Sequence, residues 1–313
     1  VVKLDVWVFV EDAMHKWLKR AGFALLALLV LALAALFGAK AMGERKRMRV
    51  LDVAVTPVAV VATAAHIEQG RYLYTTRGCA DCHGASGTGK TVIDDGGLLV
   101  VGPNITPHPG GAVASYRPVD WVRTIRHGIK PSGRPLLIMP SEDYNRLTDD
   151  DLAALIAYTQ QLPAAPGARA EIRMPLPVLA LYGIGAIEDA AEKIDHTLAP
   201  AQPVASGVTM AHGAYVANAC IGCHGAHLSG GKIPGGPSAW PAAANLTPGR
   251  DSAMVRYPTP ESFMTMMRTG NRPDGSAISK VMPFTALGQM NDIDLRALHA
   301  YLRSLAPRAA GQR

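Results

Sequence analysis

Apolar residues are distributed unevenly along the 313-residue chain, and each stretch predicts a different element. Residues 21–39, AGFALLALLVLALAALFGA, form an unbroken uncharged run long enough to cross a bilayer as one helix. Elsewhere the apolar positions follow helical spacing. Thr148 and Asp151 make a capping signal, after which Leu152, Leu155, Ile156 and Leu162 recur on one face up to Pro163. Asn291 and Asp294 open a second such stretch through Leu295, Leu298, Leu302 and Leu305, with Tyr158 and Tyr301 at matching places. Residues 51–65 are small and apolar and are read as an extended leash. Residues 163–187 include MPLPVLALYGIGAI, too short and too Pro-broken to span a membrane. That strip is read either as cover for an interdomain seam or as a docking strip. No alternating strand pattern competes, so the expectation is an all-α chain.

The helical part is written twice. Gly70 and Tyr72 precede CADCH at 79–83; Asn104 and Pro107, Trp121, Arg126, Gly128, Pro131, Gly133 and Met139-Pro140 follow. Gly213 and Tyr215 precede CIGCH at 220–224; Asn245 and Pro248, Phe263, Arg268, Gly270, Pro273, Gly275 and Met282-Pro283 follow in the same order. Near-constant spacing over so many positions indicates one domain used twice.

The two five-residue motifs contain all 4 cysteines, which leaves no thiol for a disulfide. On a helix the two cysteines and the adjoining histidine face one object. A CxxC fits a zinc half-site, a redox dithiol or, with His directly after it, c-type haem attachment. Zinc calls for further tightly spaced ligands, and a redox dithiol for an alternating strand and helix pattern; neither companion feature is present.

With these residues in view, each copy resembles a class I cytochrome c domain. The tandem resembles the membrane-bound cytochrome c subunits of periplasmic alcohol, aldehyde and gluconate-type dehydrogenases. The resemblance implies two covalently bound haem c groups, with Cys79, Cys82, Cys220 and Cys223 as the thioether positions and His83 and His224 as proximal iron ligands. It places a distal methionine in a loop before the last helix. Met139 is the single methionine available in the first copy; in the second, Met282 is selected from Met254, Met264, Met266, Met267 and Met290 because Pro follows it. Met264, Met266 and Met267 read as helix packing. His108, His127, His227 and His299 are the rival ligands, with His299 expected on a helix surface. The resemblance further implies that His83 donates to the Pro103 carbonyl, with Ala244 in the equivalent position of the second copy, and that the terminal helix crosses the first helix near Gly70 or Gly213. Arg126 and Arg268 are candidates for haem propionates. His/Met ligation leaves no open iron position, which implies a carrier and not a catalyst.

The expected organisation is a cytoplasmic segment at 1–20, a transmembrane anchor at 21–40, a linker at 41–65, one cytochrome c domain at 66–165, an interdomain linker at 166–206 and the second domain at 207–313. Ala39-Lys40-Ala41 imitates a signal-peptide cleavage site, but the long apolar run and twenty-residue head favour a retained anchor. Basic residues flank the run on both sides, so charge selects no orientation. Haem attachment does: in the resembling family it occurs outside the cytoplasmic membrane, implying periplasmic haem domains on a bacterial inner membrane, with Trp7 and Trp17 at the cytoplasmic interface. From residue 207 onward Lys and Arg outnumber Asp and Glu, which suits an acidic redox partner, not nucleic acid. The expected partner is a dehydrogenase catalytic subunit or another respiratory complex. Alternatives are a tethered carrier serving a terminal oxidase and a dihaem peroxidase. Cytochrome subunits of the resembling type often carry three haems, and two motifs are present here.

Overall fold

The computed structural model describes residues 3–234, 236–237 and 239–313, with side chains described from residue 14 onward. The side chains of Lys3 and Trp7, one of the expected interface anchors, lie outside the described residues. Two compact units are present: residues 1–46 with 176–187, and residues 47–175 with 188–313.

In the first unit, helix α1 runs unbroken through Lys3–Arg47, so the expected head, anchor and start of the linker are one helix. Its length and composition from Met14 to Arg47 suffice to cross a membrane. Phe23, Leu25, Leu31 and Phe37 are all more than half exposed. The sequence alone reads residues 163–187 as a seam cover or a docking strip; residues 176–187 instead meet the end of α1. A Cβ on Gly43 would lie 2.3 Å from the Leu179 carbonyl oxygen, and one on Gly183 would lie 2.4 Å from that of Ala39. Two small residues thus let the backbones touch. The Lys46 ammonium donates to the Ile187 carbonyl at 3.3 Å and stands 4.5 Å over the Tyr182 ring.

The second unit holds two domains. In the first, α2 (Ala64–Thr76) leads to α3 (Cys79–His83), strands β1 (Lys90–Asp95) and β2 (Leu98–Gly102), then α4 (Pro118–His127), α5 (Ser141–Tyr144), α6 (Asp149–Gln160) and β3 (Glu171–Arg173). After α7 (Leu176–Gly183) of the other unit, α8 (Ala190–Lys193) leads to the second domain: α9 (Met210–Ala217), a 3-10 turn, α10 (Ile221–His224), α11 (Pro260–Thr269), α12 (Phe284–Leu287) and α13 (Asp292–Ser304). Thr148 and Asn291 cap the terminal helices by accepting from the Asp151 and Asp294 amides, as the pattern predicts. In each domain the first helix crosses the last at a glycine, because only there do the backbones come close enough to exclude any side chain. A Cβ on Gly70 would lie 2.0 Å from the Ala154 oxygen, and one on Gly213 would lie 2.2 Å from that of Ala297.

Two expectations are corrected. The chain is mainly helical but not all-α: β1, β2 and β3 form an antiparallel sheet in the order β1-β2-β3. Asp95 pairs with Leu98 across a two-residue turn in which Gly96 and Gly97 both have positive φ, 56° and 83°. That is the backbone a tight hairpin needs, and paired glycines between β-branched residues are its sequence signal. Residues 51–65 are not a free leash either. Side chains alternate between half-buried and exposed over Val50–Val60, and Val55, Val58 and Val60 pack against the first domain's core. This segment is a strap.

The domains exchange hydrogen bonds reciprocally. Tyr72 on α2 donates to Asp294 Oδ2 of α13 at 2.7 Å and accepts from the Asn291 amide at 3.1 Å. Tyr215 on α9 donates to Asp151 of α6 and accepts from the Thr148 amide at 3.3 Å. Each aspartate is also held from within its own domain, Asp151 by Gln69 at 2.9 Å and Asp294 by His212 at 2.8 Å. A hydrogen bond to a charged acceptor contributes about 1.5–3 kcal/mol, at the low end where water reaches it. Tyr72→Phe with Tyr215→Phe is therefore expected to separate the unfolding of the two domains in differential scanning calorimetry. A single unchanged transition would show that the seam is held elsewhere.

Candidate cofactor sites

Each Cys-x-x-Cys-His motif forms a short helical turn at the floor of its domain. The turn ends at a glycine with positive φ, Gly84 or Gly225, so the chain leaves sharply after the histidine. His83 Nδ1 lies 2.9 Å from the Pro103 carbonyl oxygen, and His224 Nδ1 lies 2.7 Å from that of Ala244. A backbone acceptor is indifferent to the Pro-to-Ala change between copies. With Nδ1 donating, Nε2 is the nitrogen left with a lone pair. Burial lowers the pKa of both imidazoles, which keeps them neutral and able to ligate.

The acceptor carbonyls are themselves fixed. Asn104 Oδ1 accepts from the Thr106 amide and its Nδ2 donates to the Ala165 carbonyl; Asn245 does the same with Thr247 and Arg308. The Asn in the NITP and NLTP stretches thus ties the loop that orients the histidine to the segment after the terminal helix. The repeat marks these asparagines, but their role depends on partners about sixty residues away.

Burial pushes the Cys79 and Cys220 thiols up to about 12, so neither is the activated thiolate that disulfide exchange or zinc binding uses. Among the described residues no group of three or more His, Cys, Asp or Glu gathers to hold a bare metal ion. Met139 packs on the same buried cluster as Cys79, with Trp121, Ile125 and Tyr144. Met282 packs with Cys220 among Phe263, Met264 and Met267. The paired cysteines, the imidazole tethered at one nitrogen and the thioether on one apolar core fit a covalently held haem.

The rival histidines have other partners or lie outside the core. His299 is buried, not on the surface, because its Nε2 meets the Tyr257 carbonyl at 2.9 Å. His127 faces His196, with 3.1 Å between their Nδ1 atoms, and burial beside that ring lowers its pKa to about 4. His108 Nδ1 accepts from the Gly110 amide, and His227 is exposed. The two arginines proposed for haem propionates also have protein partners, while Arg126 Nε is buried without one. Arg126 bonds the Leu147 carbonyl and Asp149; Arg268 bonds the Gly288 and Met290 carbonyls and Asp292. Both guanidiniums tie α4 or α11 to the start of the terminal helix, where free carbonyls and a first-turn carboxylate offer a denser set of acceptors.

One functional contact is invisible in the sequence. Asp143 on α5 of the first domain accepts from the Gly222 amide inside CIGCH at 2.9 Å. Burial, reinforced by Glu142, raises its pKa to about 7. The folded state therefore holds this proton more tightly than the unfolded chain, and stability falls as pH rises from about 4 to about 7 and then levels. Asp143→Asn keeps an acceptor for Gly222 and is expected to flatten that slope in urea titrations across the same pH range.

Comparison with known proteins agrees with this architecture. Residues 65–158 match the family described as cytochrome c oxidase, cbb3-type, subunit III, and residues 210–306 match the cytochrome c family. The chain thus carries two cytochrome c domains. It is similar to the fructose dehydrogenase cytochrome subunit of Gluconobacter japonicus, 27% identical over 82% of this chain and 57% of that one. It is also similar to the gluconate 2-dehydrogenase cytochrome c subunit of Pantoea cypripedii, 27% identical over 80% of this chain and 62% of that one. A third relative is the cytochrome c subunit of the quinone-dependent alcohol dehydrogenase of Gluconobacter oxydans, 26% identical over 84% of this chain and 61% of that one. The chain spans 57% of the length of the first of these relatives.

Proposed function

We propose that this chain is a membrane-anchored dihaem c-type cytochrome passing single electrons as the electron-transfer subunit of a periplasmic dehydrogenase. The observation that carries the reading is the site built twice: a cysteine pair, an imidazole tied through Nδ1 to a backbone carbonyl, and a methionine on the same core. Cys79, Cys82, Cys220 and Cys223 would hold two haems by thioether bonds; His83 with Met139 and His224 with Met282 would be the axial ligands. The haem supplies a one-electron iron couple. The protein holds each imidazole neutral through its Nδ1 bond, and Met139 and Met282, on the same cores, would supply sulfur ligands among apolar side chains, which would favour the reduced state. With both axial positions filled, the chain carries electrons and leaves oxidation of substrate to a separate catalytic subunit. Exposed apolar side chains on α1 support a membrane anchor, and the resemblance to periplasmic dehydrogenase cytochromes is the reason for placing the haem domains on the periplasmic side of the inner membrane.

Similarity to the cytochrome subunits of fructose, gluconate and alcohol dehydrogenases supports this setting. The match of residues 65–158 to an oxidase subunit family supports the second reading, a tethered carrier delivering to a terminal oxidase. Purification from native membranes, with haem quantified and copurifying chains identified by mass spectrometry, separates the two. A stoichiometric flavin, quinone-cofactor or molybdenum subunit is expected; oxidase subunits alone would favour the second reading, and peroxide binding at a resting haem would reject both.

A further inference from the structure

The two domains repeat one another in sequence, but their distal faces do not have the same cover. In the first domain, the end of α4 and the Gly133 and Pro135 positions of the loop leading to Met139 lie beneath other chain segments, while Lys130 and Arg134 of that loop are exposed. The Leu51 amide of the strap donates to the Gly133 carbonyl at 2.9 Å, and a Cβ on Gly133 would lie 2.6 Å from Val50. From the other side, the Ala190 amide donates to the Leu136 carbonyl at 3.3 Å, and a Cβ on Gly128 would lie 2.8 Å from the Ala190 methyl. Arg49 joins the two coverings by a bidentate pair with fully buried Asp189, at 2.7 and 3.0 Å. Pro135 is buried, and the Arg126 side chain is 7% exposed.

Among the described residues, no such cover lies on the matching positions of the second domain. A Cβ on Gly275 would meet nothing within 4 Å, and one on Gly270 would meet only Phe284 of the same domain. Ala277, the counterpart of Pro135, is exposed, and the Arg268 side chain is 42% exposed. Among the described residues the core around Met282 draws on nothing before Val216.

The second domain is basic as a whole. Residues 207–313 carry ten lysines and arginines against five aspartates and glutamates. Arg256 and Lys280 are exposed beside the Met282 loop. Asp274 lies in the same loop, its carboxyl held below the ordinary range by Ser276 and, to a smaller extent, by Arg272 and Arg256. Val255, 59% exposed, adds an apolar contact next to Arg256. A potential of this sign around an electron-carrying centre steers a negatively charged partner into productive orientation. Because the charges surround the loop of the proposed sulfur ligand, the suitable occupant is one that exchanges electrons, which a lipid headgroup does not do.

We propose that the second domain is the port of this protein, and that its bare face around Met282 docks a separate redox protein with a carboxylate-rich surface. The first domain, under its strap, exchanges electrons with the second and not with that partner. This rests on the dihaem carrier reading.

The test measures electron exchange between the detergent-solubilised holoprotein and plastocyanin, an acidic copper protein, by stopped flow at several salt concentrations. Arg256→Glu with Lys280→Glu is expected to lower the second-order rate at low salt by about tenfold or more and to remove its salt dependence. Lys130→Glu with Arg134→Glu, exposed positions on the matching, strap-bordered loop of the first domain, is expected to leave the rate within about twofold. Equal effects of the two pairs, or no effect of the first, would overturn the proposal. So would unchanged plastocyanin rates with binding to phosphatidylglycerol vesicles lost in the first pair, which would make the face a lipid contact. Pyridine haemochrome spectra of every variant keep the two levels apart. Absence of c-type haem overturns the carrier reading itself; its presence with two equally reactive domains overturns only the port.

Discussion

Cys220→Ala with Cys223→Ala is expected to leave one haem on the chain after extraction with acidified acetone, where the parent keeps two. Thioether bonds survive that treatment and iron ligation alone does not, so the readout counts covalent attachment. The second domain should also lose its cooperative unfolding. Its core gathers Cys220, Met282, Phe263, Met264 and Met267 on one cluster in a domain of about 100 residues, a size at which a cofactor supplies much of the buried apolar contact. Met282→Ala is the informative companion. It should keep both haems through extraction yet lose the sulfur-to-iron absorption near the red end. Its potential should fall by a few tenths of a volt, within the roughly 0.8 V over which axial ligands set haem iron. Two haems retained by the double cysteine variant would contradict the proposed attachment.

Gly213→Ala should strongly destabilise the second domain. The added Cβ would lie 2.2 Å from the Ala297 carbonyl oxygen and 2.6 Å from Tyr301 Cβ, so the two helices must separate. Overpacking of this kind costs about 1–3 kcal/mol and more where the obstacle is backbone. For a domain of this size that corresponds to a fall in Tm of about 10 °C or more. Gly70→Ala should do the same in the first domain, where the Ala154 oxygen stands at 2.0 Å. Gly38→Ala, with open space around it in α1, should change neither transition. Thermal melts followed in the Soret band would read all three.

The contacts that sequence makes legible are local or repeated. CADCH and CIGCH carry their proposed chemistry within five residues, and the repeat selects Met282 among its rivals by position. The Thr148 and Asn291 caps are legible because a cap acts over three residues. What is not legible depends on partners distant in the chain. Nothing local to Arg126 and Arg268 shows that Leu147 and Met290 present carbonyls to them. His299 looks like a surface residue because its acceptor, Tyr257, is 42 residues away. The β1–β2 hairpin is within reach, since Gly96-Gly97 lies between Ile93 and Leu98, but one short hairpin carries little weight beside long helical patterns. The strap is hidden by its composition: small apolar residues read as slack until a surface is present for alternate side chains to pack on.

The Tyr72–Asp294 and Tyr215–Asp151 exchange makes the contact between domains self-complementary: each half presents one phenol and one carboxylate, and each receives the other's. A surface of that kind is isologous, the arrangement by which identical subunits close on a two-fold axis. The phenol–carboxylate exchange follows that symmetry, but the Asp143–Gly222 contact does not, because the position matching Asp143 in the second domain is Ala286. Covalent joining is what allows the halves to diverge, so that one can be wrapped and the other left open while their mutual geometry is preserved.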